Sequence, residues 1–163
     1  QSRFDGSTEL NPAKHANKEH PMQRITRTLA GLLLAGSASL AFAQTAAPDD
    51  AKVFFISPSD GATVSSPVTV QFGLEGMGIA PAGVEREATG HHHLLIDLEQ
   101  ESMPAMDFPL PANDHVVHFG KGQTQTELKL EPGTHTLQLL LGDHMHVPHE
   151  PPVMSEKITI TVE

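Results

Sequence analysis

Short apolar runs alternate with turn-forming residues throughout residues 52–163, and none of the runs shows the 3.6-residue repeat of a helix. The runs are rich in Val, Ile, Thr, Phe or Leu, and they are separated by Gly, Pro, Asp and Asn, as strands are separated by turns. Their number and spacing predict one all-β domain, an immunoglobulin-like antiparallel β-sandwich of about seven strands. The predicted strands are 52–57, 67–75, 91–98, 115–119, 126–130, 134–142 and 155–162.

The residues ahead of this domain have a different pattern, that of an export signal. Two arginines precede an apolar run at 29–40, and Ala41-Phe42-Ala43 has the form of a signal-peptidase site. Because the run is shorter than the ~20 apolar residues that a transmembrane helix needs, we interpret it as a cleaved signal peptide that leaves no membrane span. A periplasmic or secreted location is therefore expected. This divides the chain into a non-native upstream extension (1–21), a signal peptide (22–43), a flexible acidic lead-in (44–51) and the sandwich domain (52–163).

Composition limits the partners that the expected mature chain can have. Residues 44–163 contain five Lys or Arg and 17 Asp or Glu, so 5 − 17 gives a net charge near −12 with neutral histidines. Such a surface repels nucleic acid and anionic membranes and attracts cations. The chain has no Cys, which excludes disulfides, thiolate metal sites and thiol catalysis. A metal ion is therefore the expected partner, and no protein partner is indicated.

Nine histidines fall within residues 44–163, and the strand order predicts that most of them gather at one end of the sandwich. Successive antiparallel strands reverse direction, so the start of the third strand, the end of the fourth and the loop after the sixth share one end. Two carboxylates, Asp97 and Asp143, are candidates to accept hydrogen bonds from the ligand histidines, and the alternative for both is solvation at a strand end or formation of a turn. The predicted metal ligands are His91, His93, His118, His144, His146 and His149.

Strand alternation arranges the candidate ligands in pairs. His91 and His93 share one face of their strand, about 6.5–7 Å apart, and His144 and His146 share a face if their segment is extended. Two such pairs could converge on one ion at metal–nitrogen distances of about 2 Å. Neutral imidazole is a good ligand for Cu(II) and Zn(II), so copper or zinc is the predicted metal.

Two other histidines are predicted to be structural. His92 points to the opposite face from His91, together with the leucines and isoleucine that follow, and it is expected to be buried and hydrogen-bonded to backbone. His135 follows a Pro-Gly turn, at the corner where immunoglobulin-like domains place a side chain that bonds back to upstream backbone.

Three functions remain open on these residues. The favoured one is a non-enzymatic, exported metal-binding module. The alternative is a structural or interaction domain in which the histidines form a hydrogen-bonded cap. A mononuclear metal enzyme is the least favoured, because no G-x-S-x-G, Walker, C-x-x-C or H-E-x-x-H motif is present and no catalytic residue can be assigned.

Long stretches at 58–83, 90–97 and 118–160 resemble the secreted bacterial domain-of-unknown-function 4399 family. The second of them contains the GHHHLLID sequence and the third contains GDHMHVPHEPP. The resemblance extends over about residues 58–162 and implies a small exported domain, with no activity that can be transferred. The matching positions are Gly76-Met77-Gly78, Gly90 to His93, Asp97, His118-Phe119-Gly120, Gly133, His135, Gly142-Asp143 and His146.

Overall fold

Strands form nearly all of the regular structure in the computed structural model, which describes residues 44–163. The predicted upstream extension and signal peptide lie outside the described residues. Within 44–163, no helix is long and apolar enough to cross a membrane. The elements are β1 (Lys52–Ser57), β2 (Thr63–Val64), β3 (Val68–Glu75), β4 (Gly78–Ile79), β5 (Thr89–Ile96), a short 3-10 helix (Gln100–Ser102), β6 (Val116–His118), β7 (Gln125–Leu128), β8 (Gly133–Gly142) and β9 (Ile158–Val162).

All seven predicted strands are present, and they pair as an antiparallel sandwich. One sheet has the order β1-β3-β7, and the other has the order β2-β9-β8-β5-β4, with β6 also paired to β5. Leaving aside the two-residue strands β2 and β4, the first, second and fifth strands form one sheet, while the third, sixth and seventh share the other, as in immunoglobulin domains. The fourth strand, β6, joins the second sheet beside β5. The predicted fold class is confirmed.

The space between the sheets is filled by alternate residues of the facing strands. Leu137, Leu139 and Leu141 of β8 are fully buried there, and they pack with Val70 and Phe72 of β3. This is the two-residue period that a strand with one face on the core requires.

A second apolar cluster covers the opposite, outer face of the second sheet. Leu95 of β5 and Leu140 of β8 pack there against Val116 and against Leu110, which belongs to the long segment between β5 and β6. Both faces of β5 are therefore covered, and every residue from Gly90 to Ile96 is buried. Side chains at even positions of β5 enter the interior of the sandwich, and those at odd positions enter the outer layer.

His92 occupies an even position and lies in the interior. It is fully buried, and its ring centroid is 5.1 Å from that of Phe72. The predicted burial is confirmed, but neither ring nitrogen makes a hydrogen bond within the described residues. Burial lowers the pKa of His92, although backbone groups of Gln123 and Gly73 oppose the shift, so the ring is held in its neutral form.

His135 bonds back to upstream backbone, as predicted for the corner position. Its Nε2 donates to the carbonyl oxygen of Glu131 at 2.9 Å, and its Nδ1 donates to Oδ2 of Asp97 at 2.7 Å. The other carboxylate oxygen of Asp97 accepts the backbone N–H of Thr136 at 2.8 Å. Since both partners of the ring are acceptors, only the doubly protonated imidazole can donate to both. The hydrogen bond to Asp97, followed by that to Glu131, raises the pKa of His135.

Part of the lead-in at 44–51 is hydrogen-bonded to the segment that follows β8 and to the segment between β5 and β6, although a flexible segment was expected. The side chain of Gln44 donates to the carbonyl oxygens of Met106 and Pro148, and the hydroxyl of Thr45 donates to Asp143. Ala47 N–H also donates to the Glu150 carbonyl. These contacts are separated by about 60 to 100 residues in sequence, so local pattern could not reveal them.

The His135–Asp97 pair predicts a pH-dependent contribution to stability. The folded-state pKa of His135 lies above its unfolded value, so the stabilisation is complete below about pH 6.5 and declines as the pH rises through the folded pKa. His135→Gln should therefore reduce the free energy of unfolding by about 1 kcal/mol at pH 6 and by less at pH 9, measured by urea denaturation. His144→Gln is the control and should show no such dependence. An equal loss at both pH values would contradict the charged pair.

Candidate metal centre

Three histidine side chains converge on the outer face of the second sheet, near the start of β5. Nε2 of His91 is 2.9 Å from Nδ1 of His146, and Nε2 of His93 is 3.2 Å from the same atom. One nitrogen from each ring lies within 4.8 Å of the other two, which is an arrangement that could hold a metal ion. His91 and His93 are fully buried, whereas His146 is partly exposed.

Strand pairing fixes two of these rings. His91 and His93 are at odd positions of β5, where they face Gly142 and Leu140 across the antiparallel ladder with β8. On the other side of β5, His93 is paired with His118 of β6. Residues opposite each other in a ladder present their side chains on the same face, which brings His118 beside the group.

His146 comes from the turn that follows β8. The carboxylate oxygen Oδ1 of Asp143 accepts the backbone N–H groups of Met145 and Val147 at 2.8 and 3.0 Å, and Oδ2 accepts the hydroxyl of Thr45 at 2.9 Å. The backbone N–H of His146 donates to the Asp143 carbonyl at 3.0 Å. Asp143 therefore folds the turn that carries His146, and within residues 44–163 it makes no hydrogen bond to a histidine ring.

The backbone of His146 is in the left-handed region, with φ at 66°. This conformation is unfavourable for residues with a side chain, although Asn, Asp and His tolerate it better than most. It turns the His146 side chain toward His91 and His93. His144 and His146 were expected to share a face only if their segment were extended. Because the segment forms a turn, they do not form such a pair.

Two glycines leave the space that the rings occupy. A Cβ atom at Gly142 would lie 2.5 Å from Cε1 of His93. A Cβ atom at Gly90 would lie 2.7 Å from the carbonyl oxygen of Gly142 and 2.9 Å from Cε1 of His149. Such distances are too short for non-bonded carbon contacts, so both positions require a residue without a side chain.

The remaining predicted site residues fall into two groups. His118 joins the rings, with its centroid 4.5 Å from that of His93 and 4.6 Å from that of His146. Three others do not. His144 lines a surface cavity beside residues 84–87, and buried His149 has its ring nitrogens near the carbonyl oxygens of Leu141 and Thr89. Asp97 follows the far end of β5, where it pairs with His135 rather than with any of these histidines.

The three rings are held in the neutral form that binds metal. Burial is the largest cause of the lowered pKa of His91, to about 4, and of His93, to about 2, and neighbouring imidazoles add to both shifts. Burial also lowers the pKa of His146, and the charge of Asp143 opposes this. A neutral imidazole keeps one nitrogen with a free lone pair, which is the ligand form.

The three neutral rings cannot give every one of their nitrogens a hydrogen-bond partner. His146 Nδ1 faces two nitrogens, and a proton on it can make a good hydrogen bond to only one of them. Any proton moved to Nδ1 of His91 or His93 is buried without an acceptor, because neither atom has a hydrogen-bond partner within the described residues. An unmatched buried donor costs about 1–3 kcal/mol. A cation bound by the facing lone pairs would give these nitrogens a common partner.

The nitrogen spacing also suits a common ion. Two nitrogens held at about 2.0–2.1 Å from one ion are about 2.9 Å apart at a right angle and about 3.4 Å apart at the tetrahedral angle. The two observed separations, 2.9 and 3.2 Å, fall in this range.

Acidification should destabilise the metal-free protein. The folded-state pKa values of His91 and His93 lie below the ordinary histidine value of about 6.5, so the unfolded chain takes up more protons as the pH falls from about 6.5 toward 4. Each ring can contribute up to about 1.4 kcal/mol per pH unit over its interval. Urea denaturation in the presence of chelator should show a shallower decline for the variant with both His91→Gln and His93→Gln. An identical decline in the two proteins would exclude these rings as the cause.

Comparison with known proteins places the chain in a family without providing an activity. A family model described as "Domain of unknown function (DUF4399)" matches residues 70–163, a stretch that contains all four clustered histidines. No curated protein and no solved structure matches the chain. Since the matched residues make up more than half of the sequence, the chain belongs to the DUF4399 family.

Proposed function

We propose that this domain is an exported, non-catalytic metal-binding module that holds one copper or zinc ion through His91, His93 and His146. The observation that carries the proposal is the convergence of three neutral imidazole nitrogens, with two N···N separations of 2.9 and 3.2 Å, in a group that is mostly buried. A periplasmic or secreted location accords with the proposed signal peptide. Copper and zinc are the ions favoured by an all-imidazole ligand set.

The backbone of His146 supports a functional role for this residue. A residue in the left-handed region costs about 1 kcal/mol or more and persists where the surrounding structure holds it. Asp143 and Thr45 provide that support. The strained residue is the one whose Nδ1 faces both of the other nitrogens.

A hydrogen-bonded histidine cap is the second candidate function. It is favoured by one observation, that the 2.9 Å separation between His91 Nε2 and His146 Nδ1 is itself a hydrogen-bond distance. In that case the rings would stabilise the turn after β8, and the domain would be a structural or interaction module. The two candidates differ in what the loss of one ring does to metal binding and to stability.

Calorimetric titration with Cu(II) and Zn(II) tests the proposal directly. The chain from Gln44 onward, produced without a polyhistidine tag and stripped with chelator, should bind one ion with micromolar affinity or tighter. Replacing both His91 and His93 with Ala should abolish binding, whereas His135→Ala, near the start of β8 and away from the clustered rings, should lower stability and leave binding intact. Absence of heat and of any shift in melting temperature with either metal would reject a metal site.

His146→Asn separates the two candidates with one substitution. Asn tolerates the left-handed backbone, so the metal-free variant should fold and lose no more than the hydrogen bond between His91 and His146, about 1 kcal/mol. Its affinity for the ion should fall at least about tenfold, because a direct ligand is lost, and added metal should stabilise the variant less than the wild-type protein. The hydrogen-bonded cap predicts the same loss of stability, with no metal binding and no stabilisation by metal in either protein.

A further inference from the structure

We propose that His118 completes the coordination of the bound ion through Nδ1, so that four histidines close the site and leave no position for an exchangeable ligand. This inference rests on the proposed function. It adds the type of site, because a structural site is closed by four protein ligands, whereas a catalytic site keeps one coordination position open.

His118 packs with His91, His93 and His146 as one group of four imidazole rings. Neighbouring centroids are separated by 4.6 Å for His91–His93, 4.5 Å for His93–His118, 4.6 Å for His118–His146 and 4.7 Å for His91–His146. The centroids of His93 and His146 are farther apart, at 5.4 Å, so they form a diagonal of the group. Four rings are thus arranged around a common centre at nearly equal spacing, and His118 closes the side that the three converging nitrogens leave open.

The hydrogen bond of His118 determines which of its two ring nitrogens carries the proton. Its Nε2 is 2.9 Å from the carbonyl oxygen of Pro111, so Nε2 bears the proton and donates it. In a neutral ring the lone pair is then on Nδ1. Metal-bound histidines usually donate their other ring N–H to a carbonyl or carboxylate, which fixes the tautomer and the orientation of the ring. His118 has a hydrogen bond of this kind to the Pro111 carbonyl.

The other side chains near the group are occupied elsewhere. Both carboxylate oxygens of Asp143 accept hydrogen bonds from the turn or from Thr45. His144 lines a different cavity, and the ring nitrogens of His149 lie near backbone carbonyls. Of the ligands predicted from the sequence, His118 is therefore the one that remains for a fourth position.

Metal binding requires Nδ1 of His118 to move toward the other three nitrogens while Nε2 keeps its hydrogen bond to Pro111. The His118 nitrogen is not among those that lie within 4.8 Å of one another in the metal-free arrangement. The ring is partly exposed, unlike those of His91 and His93, so it can turn toward the ion without displacing core residues. The ion would then be shielded from solvent on the side where His118 and His146 reach the surface.

Azide binding to the Cu(II)-loaded protein tests the inference. Azide that replaces water on Cu(II) produces a charge-transfer absorption band, so the wild-type protein should show none and His118→Ala should show one. The variant should also bind Cu(II) at least about tenfold more weakly. Added imidazole should fill the vacated position and suppress the azide band. His144→Ala is the matched control and should behave as the wild-type protein does.

The possible outcomes separate this inference from the proposed function. A wild-type protein that binds one Cu(II) ion and shows the azide band has an open position, which would overturn the role of His118 and leave the metal site standing. A protein that binds no Cu(II) in the preceding titration would overturn both. Even if His118→Ala does not fold, an azide band in the wild-type protein would overturn the inference.

Discussion

Burial of β5 on both faces is the constraint from which the rest of the site follows. A strand covered on one side only would leave alternate side chains in water, where an imidazole is satisfied without any special partner. In this domain the interior takes Leu94 and Ile96, and the outer layer takes Leu95 together with His91 and His93. Polar rings placed under that layer cannot be hydrated fully, so they must satisfy one another or share a bound ion.

The fold could be predicted from the sequence because its strands differ so clearly from its turns. Two-residue alternation of Leu137, Leu139 and Leu141 marks both the strand and the face that is buried in the core. The sequence pattern did not show which of the two sheets β6 would join. Its pairing with β5 depends on the long covering segment between the two strands, which is held by tertiary contacts such as the hydrogen bond from Leu110 N–H to the His146 carbonyl.

The candidate site was predictable in part, for a similar reason. Period two along a strand was sufficient to separate His91 and His93 from His92. The choice between His144 and His146 depended on the conformation of a turn, which is set by Asp143 accepting backbone N–H groups two and four residues later. Asp residues commonly make such local hydrogen bonds, so the signal was present but weak. The pairing of Asp97 with His135, and the contacts of Gln44 and Thr45, involve residues far apart in sequence and left no local trace.

Gly90 and Gly142 impose a steric limit that can be applied to other members of the family. A methyl group at Gly142 would meet the ring of His93, and one at Gly90 would meet the Gly142 carbonyl oxygen and the His149 ring. A related chain with alanine or a larger residue at either position would have to pack its imidazoles differently, even if it retained every histidine. Inspection of these two positions can therefore divide family sequences into those with room for this ring packing and those without it, before any protein is purified.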